Sequence, residues 1–222
     1  YKFNTLQKEK PNSLLIGAYD EVRPSYNTDT YKKEGNIGPE YRTIHLGVDF
    51  FIPTETPIHS FYDGKVVNSY RNNNDKDYGN VLTLQHLTDN GDSFYTLYGH
   101  LSKKSLDILN VGDSIKKGDL IAYIGKTEEN GNWTPHLHFQ TMLDLLGNKN
   151  DFPGVGFPKQ KEVLHSVCPN PNLLFKAKGM DLNHESTTQE ILSYRKDHLG
   201  KSLSISYDEP LKIIRGEGVH LI

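Results

Sequence analysis

An antiparallel, mainly β domain is predicted between residues 42 and 142. Strand-like runs follow one another there at short intervals, turn pairs separate them, and helical periodicity is nearly absent. The runs cover residues 45–52, 57–62, 65–70, 80–85, 93–98, 119–124 and 136–142, with Asp63-Gly64, Asn90-Gly91, Lys117-Gly118 and Asn130-Gly131 as turn signals. Val81, Thr83 and Gln85 alternate with Leu82, Leu84 and His86, the period of a strand with one apolar side. Composition agrees: 35% of residues are hydrophobic and 19 are glycine, a balance that suits many turns and strands that each bury one face.

Outside that region the chain changes character. Residues 1–41 are polar and turn-rich, with Leu14-Leu15-Ile16 as a short possible strand, and read as an irregular N-terminal extension packed over the domain. The domain itself spans 42–175, its last part irregular because Pro153, Pro158, Pro169 and Pro171 interrupt regular elements. Residues 176–222 read as a linker and a further start. Ser186 or Thr187 caps a short C-terminal helix that runs to about Leu199 and stops at Gly200; strands are expected at 202–207 and 211–215.

Several classes are disfavoured. A formal net charge of -3 without any Lys/Arg block gives no nucleic-acid partner. No apolar run approaches the roughly 20 residues that span a bilayer, and residues 1–11 lack a signal-peptide pattern. No membrane partner is therefore expected, and the expected localisation is cytoplasmic. Cys168 is the single cysteine, which rules out an internal disulfide and a thiolate-rich metal site. A metal here would need imidazole and carboxylate ligands.

Such ligands occur in three segments: His45-Leu46-Gly47-Val48-Asp49, Tyr98-Gly99-His100-Leu101 and Pro135-His136-Leu137-His138-Phe139. On a strand, residues i and i+2 share a face about 7 Å apart, so His136 and His138 point the same way. His45 and Asp49 also share a face, and Gly47 between them leaves room for a metal or substrate. Hydrolytic zinc takes three His or carboxylate ligands and keeps one position open. Calcium or magnesium would ask for more oxygens. The other histidines, His59, His86, His165, His184, His198 and His220, read as structural. Among the aromatics, Trp133 and Thr134 are the best groove candidates, whereas Phe94, Tyr95 and Tyr98 read as packing. The run 111–118 is similar to the hairpins of lipoyl and biotinyl carriers but lacks their modified-lysine setting.

The three histidine segments, together with Tyr78-Gly79-Asn80, Val111-Gly112-Asp113, Lys117-Gly118 and Ile124-Gly125, resemble the M23 (LytM/lysostaphin-type) zinc endopeptidases over residues 42–142. The resemblance implies a β-sheet groove of the duplicated-hybrid-like type. It implies one Zn2+ per chain on His45, Asp49 and His138, with His100 and His136 as catalytic residues beside it. The implied function is hydrolysis of a peptide (amide) bond by a metal-activated water.

A second resemblance concerns the ends. Residues 194–216 look like the opening of a class III PLP-dependent aminotransferase. Residues 19–24 and 151–155 resemble the M23-like middle of fusion proteins in which a phosphotransferase-like domain precedes and the aminotransferase follows. It implies flanking partner domains of those two kinds, and PLP only in the C-terminal one, with its lysine beyond Ile222. Two alternatives follow: a metal-bearing structural or regulatory module of that fusion, and a hydrolase of a small amino-acid conjugate.

Overall fold

The computed structural model describes residues 14–180, apart from 24, 25, 27, 37, 73, 151, 178 and 179, and the backbone of 216–217 and 220–221. Two compact units divide the chain, Tyr1–Asp181 and Leu182–Ile222. In the second, β14 (Gly216–Glu217) and β15 (His220–Leu221) pair antiparallel. The helix expected to end near Leu199 and the strands expected at 202–207 and 211–215 lie outside the described residues.

The first unit is built on strands in chain order: β1 (Leu15–Gly17), β2 (Lys32–Gly35), β3 (Gly38–Tyr41), β4 (Ile44–His45), β5 (Val48–Phe51), β6 (Pro57–His59) and β7 (Gly64–Arg71). Then come β8 (Asn80–Leu87), β9 (Ser93–Leu101), β10 (Ser114–Ile115), β11 (Leu120–Tyr123), β12 (Leu137–Met142) and β13 (Val155–Gly156). Seven of them form one antiparallel sheet in the order β1-β5-β12-β9-β8-β7-β10. β11 pairs with β6, β13 with β4, and β2 with β3. The turn glycines Gly91, Gly118 and Gly131 take positive φ, as their turn pairs require. The 111–118 run is a structural turn: β10 adds to the edge at β7, and Lys116 pairs with Asp63 instead of presenting itself at the tip.

Both faces of the central strands are covered, which departs from the one-sided burial read in the alternation. On one face Leu82, Leu84, Tyr98, Leu137 and Phe139 meet Ile58 of β6 and Ile121 and Ala122 of β11. On the other, Val81, Leu97 and Met142 meet Ile44, Leu46, Phe152, Leu164 and Cys168. The second cover comes from the stretch after Met142, which is less irregular than its prolines imply. It holds β13 and two short helices, α1 (Lys161–Val167) and α2 (Asn172–Phe175). Pro158 sits in a 3-10 turn that leads directly into α1, so here the proline starts a helical stretch rather than breaking one.

The N-terminal segment is part of the sheet. β1 pairs along β5 with Leu15 opposite Phe51 and Gly17 opposite Asp49. The predicted strand 45–52 is two strands. Leu46 N–H turns aside to Gly154 O (2.9 Å), and a Cβ on Gly47 would come 2.7 Å from the His138 ring and from Phe139 O. The space at Gly47 is thus taken by the His138 imidazole, not left for a ligand.

Leu84 has no exposed surface and lies in the larger core. Leu84→Ala is expected to cost about 2–5 kcal/mol of stability, read as a lower denaturant midpoint at unchanged slope. An unchanged midpoint would show that the two-layer packing does not hold the sheet.

Candidate metal centre

Register builds the site. Across the sheet, Gly17, Asp49, His138 and Gly99 are successive cross-strand neighbours on β1, β5, β12 and β9. The outer glycines make room for two side chains that close on the row from either side. A Cβ on Gly99 would strike the Tyr78 ring at 2.6 Å, and one on Gly17 would strike the Arg23 guanidinium at 2.2 Å. His45 arrives from β4. In a continuous strand it would lie about 13 Å from Asp49; the break at Leu46-Gly47 folds it back, and its Nε2 stands 3.2 Å from Asp49 Oδ1.

His138 Nδ1 completes a triangle, 3.0 Å from Asp49 Oδ1 and 3.1 Å from His45 Nε2. Four donors at about 2.0–2.1 Å from a tetrahedral zinc lie roughly 3.3 Å apart, so the spacing fits that ion. All three residues are buried, and they form a group able to hold a metal.

Hydrogen bonds behind the triangle fix which nitrogens carry protons. His45 Nδ1 lies 2.8 Å from Ala18 O, an acceptor, so Nδ1 donates and Nε2 presents a lone pair. Gln140 Nε2 donates to Pro153 O (3.2 Å), which turns Gln140 Oε1 towards His138 Nε2 at 3.0 Å. His138 therefore donates from Nε2 and presents a lone pair at Nδ1. Two bare nitrogens and a carboxylate oxygen then face one another with no hydrogen between them. Such a set repels itself unless a cation sits at its centre, and the outer partners are those that orient imidazole ligands. The residues fit a zinc ion.

Around this triangle the charges are strongly perturbed. Burial pushes the Asp49 carboxyl up, but wherever the neighbouring imidazoles carry protons His45, His136 and His138 outweigh it and hold the group well below the usual carboxylate range. Its second oxygen, Oδ2, accepts from Arg23 Nη1 at 2.5 Å. Arg23 also donates from Nε to Glu21 (3.0 Å) and from Nη1 to the Tyr26 hydroxyl (2.9 Å). Burial works against the Arg23 charge, yet Asp49, Tyr26 and Glu21 hold its proton more firmly than water does.

His100 and His136 stand beside the triangle, their rings 4.1 Å apart. His100 Nδ1 donates to Asn130 O (2.8 Å) and His136 Nδ1 to Thr134 O (2.6 Å), which leaves Nε2 of each bare. The His136 Nε2 lies 3.8 Å from Asp49 Oδ2, and its ring stacks on Phe51 at 5.2 Å. Burial lowers both imidazoles below their ordinary range, His100 well below it, and lowers His138 too. His100 has φ +63°, a left-handed backbone that a non-glycine residue adopts at a cost of order 1–3 kcal/mol. It is held there by Tyr78 O, which accepts its N–H, and by Gly125 N–H, which donates to its carbonyl.

The cavity over the site has a volume of about 350 Å³ and is lined by Asp49, His100, His136 and His138, with Trp133 and Thr134 on its wall as expected. Phe94, Tyr95 and Tyr98 take no part in its lining. Sequence reasoning missed Arg23, Tyr26 and Tyr31, which the N-terminal segment brings to the same cavity, and Gln140, which orients His138. Gln140 had a usable signal, since it stands two residues after His138 on the same strand face. Among the histidines set aside, His86 is buried between Asp63 O and Thr96 Oγ1 at 2.8 Å each, a structural role.

A mainly antiparallel β unit with a His-Asp-His metal group, flanked by two further imidazoles, defines a metallopeptidase-type domain. Residues 43–150 match the model of peptidase family M23, and the chain carries an M23 peptidase domain of the LytM/lysostaphin type. The chain is 36% identical over 204 residues to the glycyl-glycine endopeptidase ALE-1 of Staphylococcus capitis, covering 83% of this chain and 54% of that protein. It is 32% identical over 155 residues to lysostaphin of Staphylococcus simulans, covering 67% of this chain and 29% of that protein. It thus spans about half, or less than a third, of these relatives. The catalytic domain of the Staphylococcus simulans lysostaphin superposes with a TM-score of 0.48 at 26% identity, over 75% of this chain and 95% of that one.

Because His100, His136 and His138 resist protonation when folded, the unfolded chain binds more protons near pH 6.5 and below. The stability they confer is complete above about pH 6.5 and is lost progressively as pH falls below that value towards their lowered folded-state values. Thermal unfolding of chelator-treated protein should show a falling midpoint from about pH 7 to about pH 5; a flat profile would contradict the buried, neutral imidazoles.

Proposed function

We propose that this domain hydrolyses peptide bonds, with one zinc ion held by His45, Asp49 and His138 and with His100 and His136 as the catalytic residues. The observation that carries the reading is the hydrogen-free triangle of two imidazole lone pairs and one carboxylate oxygen, 3.0–3.2 Å on a side, beneath a cavity. Zinc is the metal of the M23 family, and when bound it would acidify a water molecule and polarise a substrate carbonyl.

The rest falls to the chain's own groups. His100 and His136 are neutral with Nε2 free, so either can take a proton from the attacking water. The resulting imidazolium can then steady the tetrahedral oxyanion or return the proton to the leaving amine. Their Nδ1 bonds to backbone carbonyls hold each ring in the tautomer this work requires. Tyr26, Tyr31 and Trp133 form an aromatic cluster at the cavity, with Tyr26 and Tyr31 4.7 Å apart, and would exclude water from one side of a bound chain. The activity named for ALE-1 makes glycine-rich peptides the first substrates to try.

The phrases at residues 19–24, 151–155 and 194–216 support a further reading, in which this domain stands between phosphotransferase-like and aminotransferase domains, with PLP only in the latter. There a small amino-acid conjugate would be the substrate, or the metal site would serve the neighbouring enzyme. Aminotransferase turnover in such a full-length protein, with and without His45→Ala, tests it; unchanged turnover and stability would dispose of the structural role.

Zinc-loaded protein incubated with a panel of glycine-rich and cell-wall-type peptides should release amines, stop on chelation and recover with added zinc. His136→Ala and His100→Ala should each lower kcat by about 10²–10⁴-fold while retaining one zinc per chain. Absence of cleavage across the whole panel by zinc-replete protein would overturn the peptidase reading.

A further inference from the structure

Arg23 lies in the segment before the M23-matching region, yet its guanidinium reaches the centre of the site. The two Asp49 oxygens have separate partners. Oδ1 faces His45 Nε2 and His138 Nδ1 at 3.2 and 3.0 Å; Oδ2 accepts from Arg23 Nη1 at 2.5 Å. A carboxylate with both oxygens free can grip a cation through both. Here one oxygen is already committed to a largely covered guanidinium.

We propose that Arg23 is a positioning residue that confines Asp49 to one-oxygen coordination of the metal. This inference rests on the metal-site reading above. The consequence is chemical as well as geometric. A second carboxylate oxygen on the ion would fill the corner that a hydrolytic site keeps open, and would quench more of its charge. By drawing charge from Oδ2, Arg23 preserves both the corner and the ion's ability to polarise a substrate.

The surroundings are built for that position. Arg23 is held on its other donors by Glu21 and the Tyr26 hydroxyl, so the fork cannot swing freely away. Gly17 stands directly beneath it. A Cβ there would come 2.2 Å from Arg23 Nη2 and 3.2 Å from Asp49 Cβ, so any larger residue would expel the guanidinium. Glycine at the cross-strand partner of Asp49 therefore serves the arginine.

Cobalt(II) substitution tests the idea independently of turnover, because four-coordinate cobalt absorbs visible light much more strongly than five-coordinate cobalt. The unaltered protein should take up one cobalt and show the strong spectrum. Arg23→Ala should bind zinc no more weakly in chelator competition, show a weakened cobalt spectrum, and lose about 10–100-fold in kcat with little change in KM. Gly17→Ala, which keeps the arginine but displaces it, should reproduce the weakened spectrum; Arg23→Lys should restore part of the intensity. An Arg23→Ala spectrum equal to the unaltered one overturns the inference. So does a loss of zinc affinity of about tenfold or more, which would mean that Arg23 merely holds the ligands together. If the Arg23→Ala chain fails to fold, Gly17→Ala decides by the same spectrum. Failure of the unaltered protein to bind cobalt or zinc would instead remove the metal reading itself, and this inference with it.

Discussion

Three electron-rich atoms held in mutual contact are the constraint around which this structure is organised. His45 Nε2, His138 Nδ1 and Asp49 Oδ1 are each an acceptor, and the chain supplies no hydrogen to any of the gaps. Ala18 O and Gln140 Oε1 enforce the tautomers from behind. Such an arrangement costs free energy in an empty protein, so the surrounding packing must oppose it. That opposition comes from two buried layers: the aliphatic core under β6 and β11, and the second core capped by α1 and residues 152–156.

The sheet does most of the assembly. One transverse row carries Asp49 and His138, and the glycines at its ends give Tyr78 and Arg23 their places. Two departures from regular strand supply the rest. The break at Leu46-Gly47 returns His45 to its partner, and the left-handed backbone of His100 turns that residue into the cavity at the end of β9. Strain of this kind gathers where function over-determines geometry. The N-terminal segment also belongs to the candidate site, for it contributes Ala18, Arg23, Tyr26 and Tyr31.

Much of this was legible in the sequence because strand periodicity and turn chemistry are local signals. Most of the runs and the Asn-Gly and Lys-Gly turns appear where the sequence placed them, although the run at 45–52 breaks into two strands and that at 57–62 is a strand only over its first half. The five chemical residues gather as their motifs imply. What stayed hidden depends on distant partners. Nothing local distinguishes Arg23 from a surface arginine; its importance follows from β1 pairing with β5. Gly47 read as an open space, whereas its neighbour is a ring 91 positions away in the chain. The helices α1 and α2 were masked by prolines that stand at helical starts, not within them. Burial of β8 on both faces was likewise invisible, since Thr83 is polar and is covered by tertiary packing alone.

The shared row of Gly17, Asp49, His138 and Gly99 also restricts how this domain can vary in length. A strand exposes alternate side chains to opposite faces, so adding or losing one residue within β5 or β12 would send its ligand to the wrong side of the sheet. Hairpin tips such as Thr88–Asp92, by contrast, sit beyond the ladder and can lengthen without disturbing the pairing. Insertions and deletions among functional descendants of this chain should therefore collect at the turns, leaving the spacing inside those two strands fixed.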